Sequence, residues 1–135
     1  MTNNNENLAS KNVTKTTIKT SSFGKETIDN LKKYGYFVDA TDCFRFCVAY
    51  GIKNNLLEGT LTGMSDNEGY TWSTITVDPE PYNLRTLIEQ IFNKGAQMTH
   101  VDAYKTAELL AEASLKSISK NWAMGDRLGT ILSEI

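Results

Sequence analysis

The segment from Asp39 to Lys53 constrains the fold more than any other part of the chain, because it is a helical pattern with apolar side chains on nearly every side. Its apolar positions are Cys43, Phe44, Phe46, Cys47, Val48 and Tyr50. A helix of this kind must lie deep in a core or at an interface between subunits. The sequence therefore predicts a mainly α-helical fold in which this helix begins at Asp39 or Thr41.

Further amphipathic helices are predicted on both sides of this segment. A short helix from Lys25 to Tyr34 has Ile28 and Leu31 as its buried stripe, and Gly35 is a natural stop. Toward the C-terminus, apolar residues recur at helical spacing and predict a helical region. They are Leu84, Leu87, Ile88, Ile91 and Phe92, then Val101, Tyr104, Ala107, Ala111, Leu115 and Ile118, and finally Leu128, Ile131 and Leu132.

Two segments favour extended structure. Residues 13–22 are rich in Thr and other β-branched residues, with Ile18 as the one strong interior apolar side chain. The run from Trp72 to Val77 predicts a second short strand. The chain thus divides into a disordered tail at residues 1–12, a short N-terminal ribbon with two helices at 13–55, and a helical region at 56–135.

Charge is distributed unevenly along the chain. Residues 1–55 carry eight Lys and Arg against five Asp and Glu, whereas residues 56–135 carry six against eleven. A basic end that meets phosphate would give this asymmetry, and so would ordinary variation of surface charge. Both interpretations are open at this point.

Nothing in the sequence predicts export or a membrane partner. The first ten residues are polar, and no apolar run approaches the roughly 20 residues that a membrane helix needs. We therefore expect a cytoplasmic protein, in which the two cysteines stay reduced.

The basic residues of the first half define a candidate DNA-contacting surface. In an extended segment, Thr17, Lys19 and Ser21 share one face and Ile18 takes the other. A polar strand of this composition can lie in a major groove, but it can equally be a surface edge strand kept soluble by lysine. The predicted contact residues are Lys15, Thr17, Lys19, Ser21, Lys25, Lys32 and Lys33.

Residues 16–52 resemble a ribbon-helix-helix unit, in the order short strand, helix, tight turn at Gly35 and apolar helix. The resemblance implies strands that pair across a dimer and a ribbon that enters the major groove of DNA.

A second resemblance, to DndE, extends further along the chain. DndE is the small helical component of the DNA phosphorothioation system, and it oligomerises. The residues that carry this resemblance are Ile28, Leu31, Lys32 and Gly35, followed by Asp42, Cys43, Arg45, Val48 and Ala49. The later predicted helices Leu84–Phe92 and Tyr104–Leu115 also fit the layout of that family.

No residue cluster in the sequence predicts catalysis, a cofactor or a metal site. Cys43 and Cys47 fit the core better than a zinc site, which needs about four ligands. His100 has no nucleophile placed beside it, and Glu108 with Glu112 is typical of a solvated helix flank. Three aromatic residues between the first two helices could stack on nucleic-acid bases, but their position between two helices favours packing in the core. They are Tyr34, Tyr36 and Phe37.

The sequence thus predicts a DNA-binding protein that is not an enzyme, either a component of a DNA-modification or defence system or a repressor-like regulator. The alternative is a protein-interaction or assembly subunit that binds no nucleic acid. In both cases we expect a homo-oligomer, because the apolar surface of the helix after Asp39 exceeds what one small core needs. The predicted self-association surface comprises Phe44, Phe46, Val48 and Tyr50.

Overall fold

The structure, a computed structural model of the chain, describes residues 17–57, 64–80, 83–93 and 100–123. The predicted tail, Lys15 and the apolar positions from Leu128 to Leu132 lie outside these residues. The elements are β1 (Thr17–Lys19), α1 (Ser22–Lys33), α2 (Ala40–Lys53), β2 (Thr71–Ser73), α3 (Thr74–Val77), α4 (Asn83–Phe92) and α5 (His100–Ala123). The mainly helical fold with a small sheet is confirmed.

Helices α2 and α5 form the centre of the molecule. The side chains of Cys43, Phe44 and Val48 are fully buried against α5 and the neighbouring elements. The Ser114 hydroxyl donates across the helix pair to the Cys47 carbonyl oxygen at 2.6 Å. A Cβ on Gly51 would lie 2.9 Å from that hydroxyl, so the close approach of the two helices requires a glycine there.

The burial of α2 removes the reason for placing a self-association surface on it. Phe44 and Val48 are fully buried and Tyr50 is nearly so, all within the single chain. Phe46 is half-buried and packs on the rings of Phe37 and Tyr50. The apolar surplus that predicted this interface is therefore used by the chain's own core.

Helix α1 begins three residues earlier than its pattern predicts. Ser21 has an extended backbone, and its hydroxyl accepts a hydrogen bond from the Gly24 N–H at 2.9 Å, which is the geometry of an N-cap. The end is as predicted, since Gly35 has a φ of 83° and the Tyr36 N–H donates back to the Leu31 carbonyl at 3.0 Å.

The ribbon forms within one chain. Strand β1 pairs antiparallel with β2, placing Thr17 opposite Ser73 and Lys19 opposite Thr71. In the ribbon-helix-helix arrangement the N-terminal strand instead pairs with a second copy of itself. The strand-helix-helix order of residues 17–53 agrees with that resemblance. The strand pairing differs from it, because β1 pairs with β2 of the same chain.

The predicted strand from Trp72 to Val77 is correct only at its start. The chain turns after Ser73 into the single helical turn of α3, because the Ser73 hydroxyl caps the Ile75 N–H at 3.2 Å. Asp78 then accepts from the Leu84 N–H and from the Tyr104 hydroxyl, which ties the start of α4 to α5. No helix of the described residues has the length and apolarity needed to cross a membrane.

Candidate nucleic-acid interface

The outward face of the ribbon is entirely polar. Thr17, Lys19, Thr71 and Ser73 alternate along the two strands with inward side chains, and all four are partly or fully exposed. On the opposite face Ile18 is fully buried, and Trp72 packs edge-on against Phe44 with ring centroids 5.4 Å apart. The prediction that Ile18 faces inward while Thr17 and Lys19 share the other face is therefore confirmed.

Backbone groups of the β1 segment form hydrogen bonds both to α5 and to the residues that precede β2. The Lys19 N–H donates to Glu108 Oε2 at 2.8 Å. Beyond the strand, the Thr20 N–H donates to the Tyr70 carbonyl, and the Gly69 N–H donates to the Thr20 carbonyl, both at 2.9 Å. The Lys19 N–H lies on the edge of β1 that faces away from β2, and its hydrogen bond goes to Glu108. This N–H is therefore not available to pair with a further strand.

The solvated flank predicted for Glu108 and Glu112 is wrong. Both side chains are buried, with 3% and 4% exposure, because α5 turns this face toward β1 and α1. Glu112 Oε1 accepts from the Ser21 hydroxyl at 2.7 Å, and Lys116 lies 3.8 Å from Glu112 Oε2. A carboxylate placed near the first turn of α1 is also favoured by the helix dipole.

Ser21 is accordingly a structural residue and lies outside the polar face predicted to include it. Its side chain is fully buried, accepts from Gly24 and donates to Glu112. Side chains alternate between two faces only while the chain is extended, and that regularity predicts Ser21 on the same face as Thr17 and Lys19. The chain bends into α1 at Ser21, so the alternation ends at Thr20.

Lys25 lies beside one end of the ribbon. Its ammonium is 2.8 Å from Asp29 and 5.0 Å from the centre of the Tyr70 ring, which also stacks on Trp72. Partial burial acts to raise the pKa of Asp29, but hydrogen bonds from Lys25 and Tyr70 outweigh it and the pKa is lowered. The hydrogen bond to Asp29 raises the pKa of Tyr70 to about 12.

The first turn of α1 is closed to phosphate by a carboxylate. Asp66 accepts from the Ser22 N–H at 2.8 Å and from the Ser22 hydroxyl at 2.6 Å. The hydrogen bond from the Ser22 hydroxyl is the main reason that the pKa of Asp66 is lowered. Basic side chains, rather than this helix terminus, are therefore the groups of α1 that can meet a polyanion.

Lys32 and Lys33 lie at the far end of α1, in its last turn. The expected core packing of the neighbouring aromatic residues is correct only for Phe37, which is half-buried, since Tyr34 and Tyr36 are 62% and 41% exposed. The short turn places the two tyrosines at the tip of the α1–α2 hairpin, where helical spacing no longer determines which side faces the core.

The two cysteines do not join this surface. Cys43 and Cys47 are free thiols in the core, and their hydrogen bond together with burial raises the pKa of Cys47 well above its ordinary value. His100 is the first residue of α5. Within residues 17–57, 64–80, 83–93 and 100–123, no group of three or more His, Cys, Asp or Glu side chains could hold a metal ion.

An apolar groove of about 400 Å³ opens between α2, α4 and α5. Two of its side chains, Ile91 and Phe92, are 50% and 42% exposed. The lining residues are Gly51, Ile52, Asn55, Leu57, Ile91, Phe92, Thr106 and Leu109. The exposed apolar side chains of this groove belong to α4 and not to α2.

Sequence reasoning missed the second strand's share of the polar face. Thr71 and Ser73 lie opposite Lys19 and Thr17, about 50 residues away along the chain. The alternation of polar and apolar residues around Trp72 was a usable signal, but the pairing of the two strands depends on tertiary contacts.

Comparison of the chain with protein-family models, with curated proteins and with solved structures finds no match.

Proposed function

We propose that this protein binds duplex DNA through the outward face of its ribbon. The observation that carries the proposal is the antiparallel pair β1–β2, whose outward side chains are only hydroxyls and a lysine. Thr17, Lys19, Thr71 and Ser73 can donate to base edges or phosphates, and hydroxyls and lysine are common in such contacts.

The dimensions of the ribbon suit a major groove. Three residues per strand span about 10 Å, and two strands are about 5 Å apart, while the groove is about 12 Å wide. Lys25 flanks the ribbon at Tyr70, and Lys32 follows seven residues later on the same side of α1. These two lysines are the candidates for contacts with the phosphate backbone, although Lys25 must exchange its ion pair with Asp29.

The resemblances to ribbon-helix-helix proteins and to DndE support a proposal about the biological context of this binding. DNA binding of this kind fits a component of a DNA-modification or defence system, or a repressor-like regulator, in the cytoplasm. No step of this proposal uses a catalytic residue or a cofactor.

The test is a fluorescence anisotropy titration of a labelled duplex at two salt concentrations. If Lys19, Lys25 and Lys32 each neutralise a phosphate, the logarithmic salt slope is about −2.7, so a fourfold rise in salt weakens binding about 40-fold. Lys19→Ala is expected to lower that slope by about one contact. Lys53→Ala removes the same charge from the end of α2 and serves as the matched control.

Duplex binding that is insensitive to salt, or that Lys19→Ala and Lys53→Ala weaken equally, contradicts the ribbon proposal. Circular dichroism melting of each variant separates a lost contact from a lost fold.

The apolar groove supports a second candidate function, that of a self-assembling interaction subunit. Half-exposed Ile91 and Phe92 project from α4 beside Leu109, and a second copy of the chain could cover them. Under this second proposal, the homo-oligomer interface lies on α4 and α5 instead of on α2.

Sedimentation velocity at micromolar concentration tests this candidate. Wild-type protein is expected to form a dimer or larger assembly that Phe92→Asp dissociates, because a carboxylate is costly to bury without a partner. Ile75→Asp alters a 66% exposed side chain on α3 and should leave the assembly intact. A strictly monomeric wild-type protein would exclude the groove as a self-association site.

A further inference from the structure

The tip of the α1–α2 hairpin exposes aromatic side chains on a rigid support. Tyr34 is 62% exposed, and its ring meets the Trp122 ring edge-on at a centroid distance of 5.4 Å. Tyr36 is 41% exposed, and its N–H is bound to the Leu31 carbonyl. The Tyr34 ring is therefore held by its contact with Trp122, and the backbone that carries Tyr36 is fixed by the turn. Less conformational entropy is lost when a ligand binds to side chains that are already ordered.

Helices α1 and α5 run side by side in the same direction beneath this tip. Ser21, before the first turn of α1, bonds to Glu112, and Tyr34, at its end, contacts Trp122. The last turns of both helices consequently lie at the same end of the molecule, and the side chains of both contribute to one surface.

That surface is basic. Residues 30–38 and 113–123 together contain four lysines and no aspartate or glutamate. Three of the lysines are Lys32, Lys33 and Lys120, and the fourth, Lys116, lies 3.8 Å from the Glu112 carboxylate. Lys33 and Lys120 are exposed, and the Lys33 ammonium lies 5.9 Å from the centre of the Tyr34 ring. Asp39 is the first acidic residue beyond the tip, at the N-cap of α2.

We infer that this tyrosine–lysine patch, formed by Lys32, Lys33, Tyr34, Tyr36 and Lys120, binds unpaired nucleotides of a single-stranded nucleic acid. Aromatic rings provide stacking surfaces for bases whatever their sequence, and lysines beside them neutralise the phosphates. Such a ligand matches both properties of the patch, its flat exposed rings and its charge. The site is separate from the ribbon and does not depend on duplex binding there.

A membrane surface also attracts lysines and tyrosines, but this patch offers it little to insert. Val38 is the one large aliphatic side chain of residues 30–38 that is exposed, and Ile28 and Leu31 of α1 point into the core. Interfacial binding strength scales with buried apolar area, so vesicle binding is the weaker alternative and becomes an arm of the test.

The experiment measures binding of fluorescein-labelled oligothymidylate to the full chain by anisotropy. Tyr34→Leu and Tyr36→Leu remove a ring while keeping an apolar side chain, and each is expected to weaken binding about tenfold. Tyr34→Phe and Tyr36→Phe keep the ring and should bind as the wild type does. Ile75→Ala, which removes an exposed apolar side chain from α3, is the control and should have no effect.

Lys19→Ala, on the ribbon, should leave oligothymidylate binding unchanged, so failure of the duplex proposal and failure of this one are distinguishable. The inference is overturned if oligothymidylate does not bind, or if the leucine variants bind it as well as the phenylalanine variants do. It is also overturned if the tyrosines matter only for binding to vesicles of phosphatidylcholine and phosphatidylserine.

Discussion

The two ends of α1 use their polar groups in opposite ways. At the N-terminal end, the Ser21 hydroxyl and the Ser22 N–H are both bound to carboxylates, those of Glu112 and Asp66. At the C-terminal end, Lys33 and Tyr34 are exposed to solvent. Both arrangements suit the helix dipole, which favours anions at its start and cations at its end.

The difference shows where surface is free for a ligand. Polar groups that are buried and paired stabilise the fold, and removing one partner leaves the other without its hydrogen bond. Exposed groups contribute little to folding, so they can be changed with small effect on stability and a large effect on binding. Substitutions at the start of α1 should therefore destabilise the protein more than substitutions at its end.

The largest effect is expected from Gly69→Ala. A Cβ at this position would overlap the Ser21 carbonyl oxygen and the Thr20 side chain, both held by the fold at the start of α1. We expect a loss of about 3 kcal/mol or more in the free energy of unfolding, since overpacking against backbone cannot relax cheaply. Urea denaturation measures this loss, and a change below about 1 kcal/mol would show that the 64–70 segment moves away freely.

Ser21→Ala is expected to cause the next largest loss in the free energy of unfolding. It removes the cap of α1 and the hydrogen bond that the Ser21 hydroxyl donates to buried Glu112, so about 2–3 kcal/mol should be lost from the free energy of unfolding. Ser22→Ala is the matched control, because its hydroxyl bond to Asp66 is exposed and should matter less. Equal losses in the two variants, measured by urea denaturation, would contradict the distinction between buried and exposed partners.

Gly35→Ala tests the other end of α1. Nothing lies within 4 Å of the position that a Cβ would take, so the only cost is the positive φ of 83°. We expect a loss of about 1 kcal/mol, with Gly35→Asn losing less because asparagine tolerates this conformation better. A loss as large as that of Gly69→Ala would mean that the tip is as tightly constrained as the start.

The smallest effect concerns pH. The folded pKa of Asp66 is lowered, mainly by the Ser22 hydroxyl, so its contribution to stability is present above its ordinary pKa and is lost as pH falls through the lower folded value. The thermal midpoint should therefore decline as pH falls below about 4. Asp66→Asn should flatten part of this decline, and Asp29, whose pKa is also lowered, should account for a further part. If the thermal midpoint depends on pH identically in the wild type and in Asp66→Asn, Asp66 makes no contribution to the pH dependence of stability.

Local patterns in the sequence predicted most of the helices. The span of α2, the stop at Gly35 and the apolar face of α4 follow from spacing and turn chemistry, which act over a few residues. The buried positions of Ile18, Ile28 and Leu31 follow from the same patterns. The candidate DNA surface was predicted only in part, because Lys19 and Thr17 are on the ribbon face whereas Ser21 is buried.

The sequence by itself determined the helical class, the central place of α2 and the strand-helix-helix order, since each depends on the spacing of nearby side chains. Only the tertiary structure decided which strand pairs with β1, why Glu108 and Glu112 are buried, and which tyrosines stay exposed. These features depend on groups that are tens of residues apart. A carboxylate on a helix is solvated or buried according to what packs against it, and here the partners are the Lys19 N–H and the Ser21 hydroxyl.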